Sequence, residues 1–392
     1  MSQNLLIFSN IELILIGLII LLFLIQLFYF LLVYARPLRE IKKIPAEKTT
    51  IFCQQPIPVS VIVYNRGNAD DLRNNLPAIL TQDYPEYEVI VVNDGSDADS
   101  EDVLKLFSAD YKHLYYTYVP VYTHNTSHKK LALTMGIKAA KHEILLFTES
   151  NCRPLSPQWI KKMTACYTPE TDICLGFCAY LPDKGFMNKL IGYDNLMNGL
   201  QYLSSAMAKR SYTGNGRNLS YRKELFYVQK ENRKSLNLPV GDNDLAIHNT
   251  VIRNKTKTEI STDSILELTK DEDYNSWREM KLARAIAQQS YEKTFLSLFR
   301  LETCSYMLFQ LVALISIIAG IFGNWIIAVL AGTLSVFRFI TKAFIFRKSA
   351  LMLRQKPSTS YLFILEMILS LFNTYIEVYR IFRKKYGYAS RI

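Results

Sequence analysis

Paired cysteines are what this chain most plainly lacks. Its six cysteines, Cys53, Cys152, Cys166, Cys174, Cys178 and Cys304, form no CxxC pair and have no histidine at metal-site spacing. That argues against a zinc finger and against a disulfide framework, and makes a reducing compartment the simpler setting. Cys174 and Cys178 lie in an apolar stretch and read as buried thiols. RNA-recognition signatures are absent, as are internal repeats and low-complexity tracts. The first apolar run has no basic residue before it and no small-residue cleavage site after it, which argues against a cleaved signal peptide.

What is present is hydrophobic and basic. Hydrophobic residues make up 49% of the 392 positions and concentrate at the two ends, and the formal net charge is +11. Much of that charge flanks the apolar runs: Arg36, Arg39, Lys42 and Lys43 after the first, and Arg347, Lys348, Arg354, Arg380, Arg383, Lys384 and Lys385 near the end. This placement points to a membrane surface rather than to nucleic acid.

Residues 11–34 are apolar apart from Glu12 and Gln26, and a span needs about 20 such residues. Basic residues follow this run, so the positive-inside tendency puts the N-terminus outside and Arg36 onward in the cytoplasm. A second apolar region, 306–346, is split by Gly323-Asn324 into a helical hairpin, with Arg338 and Lys342 expected to snorkel to the interface. The last run, 361–378, is broken by Glu366, Asn373 and Glu377 and followed by a basic tail. It reads as an amphipathic helix lying in the inner interface. The expected division is therefore an anchor over 1–36, a cytoplasmic domain over 37–300, a transmembrane hairpin over 301–346, and an interfacial helix with its tail over 347–392.

Between these runs the pattern changes. Strand-like stretches at 59–63, 87–92 and 143–147 alternate with helical ones at 69–80, 99–107 and 129–140, with a further strand at 114–119 and a short β excursion at 255–270. Such alternation predicts a doubly wound, mostly parallel α/β sheet. Three strands end in polar tips: Tyr64-Asn65, Asn93-Asp94-Gly95-Ser96 and Thr148-Glu149-Ser150-Asn151. Open α/β sheets bind ligands at the carboxyl ends of their strands, so these tips are the candidate site. Each tip also has a plainer reading as a polar turn or helix cap.

The run VSVIVYNRGNADDLRNNLPAILTQDYPEYEVIVVNDGSDADS resembles the opening of a family 2 glycosyltransferase with a GT-A fold. The resemblance continues through HKKLALTMGIKAAKHEILLFTESNCRPLSPQWI, TGNGRNLSYRKELF and VGDNDLAIHNTV, and extends to the flanking membrane helices. It is nearest to the membrane-anchored members common in Bacteroidota. It implies that Asp94, with Asp97 or Asp99 nearby, holds the nucleoside of a nucleotide-diphospho-sugar, and that Tyr64 and Asn65 add nucleotide contacts. Lys129 and Lys130 open a helix, and the family's Gly-Lys pair makes Lys130 the better diphosphate ligand. Glu149-Ser150-Asn151 occupies the place of the family's Asp-x-Asp, whose oxygens hold Mg²⁺ or Mn²⁺ against the diphosphate. Glutamate lengthens one arm and Asn151 removes one negative charge, so metal affinity is expected to fall or the geometry to change.

Gly214, Gly216 and Arg217 fall where the family lines the acceptor side. Asp242 aligns with the general base and Asp244 with a group orienting the helix start; a one-residue shift would put Asn243 at the base position. His248, four residues after Asp244, reads as structural. At 276–284, SWREMKLAR lacks the Gln-x-x-Arg-Trp element of processive synthases; Arg278 or Arg284 either stabilises the leaving diphosphate or snorkels from an interfacial helix. The expected enzyme is an inverting transferase of hexosyl or N-acetylhexosaminyl type, in a bacterial cytoplasmic membrane, acting on a glycan or lipid-linked acceptor in cell-surface polysaccharide synthesis. The alternatives are a degenerate scaffold of a glycan assembly complex, motivated by the altered metal motif, and, with least support, a transporter.

Overall fold

A computed structural model describes residues 8–41, 56–95, 98–120, 128–182, 184–231, 255–270, 272–288 and 293–382. Helix α1 (Asn10–Phe28) opens with a reciprocal cap: the Glu12 amide donates to the Ser9 hydroxyl, and the Ser9 amide donates to the Glu12 carboxylate. Two orphan donors of the helix end are thereby satisfied, which gives the lone acid of this apolar run a structural role. A π-helical turn (Tyr29–Tyr34) follows, then α2 (Arg36–Ile41).

The central domain begins with β1 (Val59–Asn65), α3 (Ala69–Leu80), β2 (Tyr87–Asn93), α4 (Ala98–Asp110), β3 (Leu114–Tyr118), α5 (His128–Ala139) and β4 (Ile144–Glu149). It continues through β5 (Cys152–Pro154), α6 (Trp159–Thr164), β6 (Ile173–Leu175), β7 (Cys178–Tyr180), α7 (Gly185–Met207), β8 (Leu219–Arg222), α8 (Glu224–Glu231), β9 (Thr256–Thr258) and β10 (Leu266–Leu268). The main sheet has seven strands in the order β3-β2-β1-β4-β8-β6-β9. β3, β2, β1 and β4 run parallel, and β8 lies antiparallel between β4 and β6. Every residue of β1 is buried, as expected of a strand covered on both faces by crossover helices. A small second sheet, β5-β10-β7, lies beside it.

Local chemistry sets the helix positions. Asn68 caps α3 by accepting from the amides of Asp70 and Asp71, two acids placed where the helix dipole favours them. In α5, a Cβ on Gly136 would lie 2.7 Å from Ile62 Cγ2, so glycine lets this helix seat directly on β1. The register follows: the ends of β1, β2 and β4 are level, with Asn65 opposite Asn93 and Tyr64 opposite Glu149.

Four further helices complete the described chain: α9 (Tyr274–Ala287), α10 (Lys293–Phe322), α11 (Trp325–Met352) and α12 (Leu362–Phe382). Four segments are long and apolar enough to cross a membrane: Asn10–Tyr34, Leu298–Phe322, Trp325–Met352 and Thr359–Phe382. The first three share a core that includes Ile19, Phe23, Phe309, Val312 and Ala331.

Arg338 and Lys342 do not snorkel. Both are buried and paired with Glu366 of α12, Arg338 through both carboxylate oxygens (2.5 and 3.2 Å) and Lys342 at 2.5 Å. Gln26 of α1 accepts from Arg338 (2.8 Å) and donates to Ser305 of α10 (2.8 Å). Thus the polar interruptions in three apolar runs are one another's partners. Glu366, which marked 361–378 as interfacial in the sequence, is neutralised inside the helix bundle.

Candidate active site

The level ends of β1, β2 and β4 bring two acidic clusters to one edge of the sheet. At the β2 tip, Gly95 takes a φ of +152°, a value side-chain-bearing residues rarely adopt, and this turn sets Asp94 above the strand. Tyr64, at the end of β1, donates its phenolic hydrogen to Asp94 Oδ2 at 2.7 Å. Burial first, and then the Asp94 charge, hold that phenol well above its usual pKa, so it stays a donor. His128, at the start of α5, stands 3.0 Å from Asp94 Oδ1. Each carboxylate oxygen keeps a further lone pair, so Asp94 can still accept from a ribose hydroxyl or a base.

Asn65 lies beneath this tip, fully buried. Its amide donates to Asn93 Oδ1 (2.7 Å), and its carbonyl accepts from the Ser150 hydroxyl (2.6 Å). Asn75 of α3 donates to the Ser150 carbonyl (2.8 Å). This network joins three strand ends and fixes their spacing; Asn65 supports the tip from below.

At the β4 tip, Glu149 is held by two cations. Lys129 Nζ lies 2.6 Å from Oε1 and Arg217 Nε lies 2.9 Å from Oε2. Arg217 also reaches Glu272 at 2.5 Å, and the Glu272 amide donates to the Tyr180 hydroxyl. Burial works to raise the Glu149 carboxyl, but Lys129 and Arg217 outweigh it and hold the group well below the usual carboxylate range. Arg217 is correspondingly held charged: burial opposes this, and Glu272 and Glu149 overcome it. The Lys129 ammonium also lies 5.5 Å from the centre of the Tyr64 ring, so the two clusters adjoin.

Of the residues expected at the site, Tyr64, Asp94, Glu149 and Arg217 meet at this edge through direct contacts. Gly214 and Gly216 belong to the loop that delivers Arg217. Lys129 makes a bond to Glu149, and Lys130, the residue favoured for the diphosphate, follows it in the first turn of α5. Asp242 and Asp244 lie outside the described residues, as do Asp97 and His248. His128 and Glu272 did not stand out in the sequence. His128 had a faint signal in leading the HKK run, whereas Glu272 sits among other charges with nothing to single it out.

Among the described residues, no group of three or more His, Cys, Asp or Glu side chains is placed to hold a metal ion. The oxygen donors at the β4 tip are Glu149 and Asn151, whose Oδ1 accepts from the Cys152 thiol. One carboxylate and one amide oxygen suit a hard divalent ion that takes its remaining ligands from substrate phosphates and water. Both Glu149 oxygens are engaged by cations, so such an ion competes with Lys129 and Arg217 for them.

Residues 59–228 match the profile described as "Glycosyl transferase family 2". Two curated proteins are similar over part of the chain. The uncharacterized glycosyltransferase YibD of Escherichia coli is 24% identical over 30% of this chain and 32% of its own length. The glycosyltransferase AglE of Haloferax volcanii is 29% identical over 26% of this chain and 33% of its own. The chain spans about a third of the length of these relatives. Among solved structures, the mannosyltransferase PcManGT of Pyrobaculum calidifontis, in complex with GDP-Man and Mn²⁺, aligns over 92% of this chain and 98% of its own, with a TM-score of 0.55 and 18% identity. The strand-tip site thus lies within the stretch, residues 59–228, that matches the glycosyl transferase family 2 profile, on a GT-A-like α/β fold.

Proposed function

We propose that this protein is an inverting glycosyltransferase, moving a sugar from a nucleotide-diphospho-sugar to a membrane-associated glycan or lipid-linked acceptor at the cytoplasmic face of a bacterial membrane. The observation that carries this reading is the pairing, at adjacent strand tips, of an acid ready to accept from a nucleoside with a carboxylate flanked by two cations. The first suits the uncharged end of the donor and the second its diphosphate.

Asp94, oriented by Tyr64 and His128, accepts from the nucleoside. Lys129 and Arg217 offset the charge that develops on the diphosphate as it leaves. A divalent cation, when bound through Glu149 and Asn151, adds positive charge at the same place. The acceptor oxygen attacks the anomeric carbon as the bond to the diphosphate breaks, and that electron pair departs with the nucleoside diphosphate. The acceptor's proton passes to a carboxylate, for which Asp242 is the proposed base. A single displacement inverts the anomeric centre.

Calorimetric titration of the detergent-solubilised protein with UDP and GDP, with and without Mn²⁺, tests the donor half. One nucleotide is expected to bind even without metal, because two cations already face the diphosphate, and Asp94→Asn weakens it about tenfold or more. Folded protein that binds neither nucleotide under either condition rejects the proposal.

A further inference from the structure

The two acids that share Arg217 are held in unlike ways. Glu149 is the last residue of β4, so the main sheet sets its place. Glu272 belongs to no strand or helix. Its amide donates to the hydroxyl of Tyr180, the last residue of β7, at 3.2 Å. The next residue, Asp273, caps α9 by accepting from the Ser276 amide at 3.1 Å. The backbone at Glu272 is thus pinned between β7 and the start of α9.

Tyr180 is itself held at both ends. Its ring is buried, and its hydroxyl donates to Asn188 Oδ1 of α7 at 2.7 Å. Its own amide donates to Gln355 Oε1 at 3.2 Å. Gln355 follows α11, the helix of a candidate membrane span. Arg354 before it takes a φ of +56°, a left-handed conformation that side-chain-bearing residues rarely adopt. The buried Gln355 side chain also accepts from Asn195 of α7 at 2.9 Å and donates to the Gly192 carbonyl. A chain of contacts therefore runs from the end of the helix bundle through Tyr180 and Glu272 to Arg217.

Arg217 ends this chain with a donor to spare. Its Nε goes to Glu149 and its Nη2 to Glu272, while Nη1 has no partner among the described residues. Two acceptors fix the plane of the guanidinium and leave the third nitrogen for a ligand. A donor fixed in advance adds no ordering cost when the ligand arrives.

We infer that Glu272 and Tyr180 are positioning residues for Arg217, holding its Nη1 ready for the donor's diphosphate. This rests on the transferase reading above. Both residues act through Arg217. Charge and position predict opposite signs here. Acting by charge alone, Glu272 repels the diphosphate, and its removal tightens binding. Acting by position, its removal loosens Arg217 and weakens binding.

The test is calorimetric titration of the full chain in detergent, without metal, using UDP and GDP and then the nucleoside of whichever binds. The ratio of diphosphate to nucleoside affinity isolates the diphosphate end. Glu272→Ala is expected to lower that ratio about fivefold, and Glu272→Gln, which keeps an acceptor oxygen for the fork, to recover most of it. Tyr180→Phe removes the hydroxyl that holds the Glu272 amide and is expected to lower the ratio about threefold. Asn188→Ala removes the other partner of that hydroxyl. It is expected to lower the melting temperature as Tyr180→Phe does and to leave the ratio unchanged. A ratio that rises in Glu272→Ala overturns the assignment and makes the acid a competitor of the diphosphate. An unchanged ratio in folded Tyr180→Phe, or equal falls in Tyr180→Phe and Asn188→Ala, also overturns it. In each of these cases the parent still binds its nucleotide, so the transferase reading stands. A folded parent that binds neither UDP nor GDP, with or without Mn²⁺, removes both.

Discussion

Two carboxylates in this molecule are each gripped by a lysine and an arginine, and they sit in opposite settings. Glu149 at the strand tips holds Lys129 and Arg217; Glu366 in the helix bundle holds Lys342 and Arg338. Each central acid faces two bases, and at the strand tips Arg217 also holds a second acid, Glu272. At the strand tips Glu149 and Arg217 are each 15% exposed, and Lys129 is 23% exposed, within reach of a ligand entering from the edge. In the bundle the three side chains are 3–5% exposed, and the spare donors of Arg338 go to Gln26. Under the proposed function, the same triad is a receptor where it faces an opening and a rivet where it does not. Burial, more than composition, decides which.

The largest expected effect comes from breaking the rivet. Glu366→Gln leaves Arg338 and Lys342 buried without their acid, and losing one partner of a buried pair costs about 3–5 kcal/mol. A drop in the melting temperature of the solubilised protein reads it, and adding Lys342→Met to the same chain recovers part of the loss. If Glu366→Gln melts like the parent, the bundle triad is not structural.

A middle-sized effect is expected at the receptor. Arg217→Lys keeps the charge but loses the fork that spans Glu149 and Glu272, so nucleoside diphosphate affinity falls about tenfold while the melting temperature moves little. Equal losses of affinity and stability would erase the contrast between the two triads.

The smallest effect concerns pH. Because the Glu149 carboxyl is held below the usual range, its contribution to stability is complete above the unfolded value, about 4.3, and is lost only as pH falls through the lower folded value. The difference in melting temperature between the parent and Glu149→Gln is therefore expected to stay level from pH 7 to pH 5. Below pH 5 the difference is expected to shrink, and a difference that stays level down to about pH 3 shows the carboxylate to be ordinary.

The elements were legible because their signals are local. Helix α3 runs over the predicted 69–80, and β1, β2 and β4 lie on the predicted strands, extended to their polar tips. Continuous apolar runs ending in polar tips, an Asn cap and acids in a first turn can all be read within a dozen residues. The pairings were not legible, because their partners are distant: Arg217 lies 68 positions from Glu149, and Gln26 lies 312 from Arg338. Which of Lys129 and Lys130 meets Glu149 was not legible either, since neighbouring helical residues point about 100° apart and only the seating of α5 decides it. The three-residue strands of the second sheet are too short to carry a periodic signal.

Helix α1 also has a history in time. Its Gln26 amide is satisfied by α10 and α11, and in the π-helical turn that follows it the Tyr29 hydroxyl donates to the Leu298 carbonyl, 269 positions later. At roughly 5–20 residues per second of synthesis, tens of seconds separate the emergence of α1 from that of its partners. Through that interval Gln26 waits without its final neighbours, in a helix already long and apolar enough to enter the bilayer. Helix α1 is thus made long before it is finished, and a chain interrupted before α10 leaves the ribosome without the completed bundle.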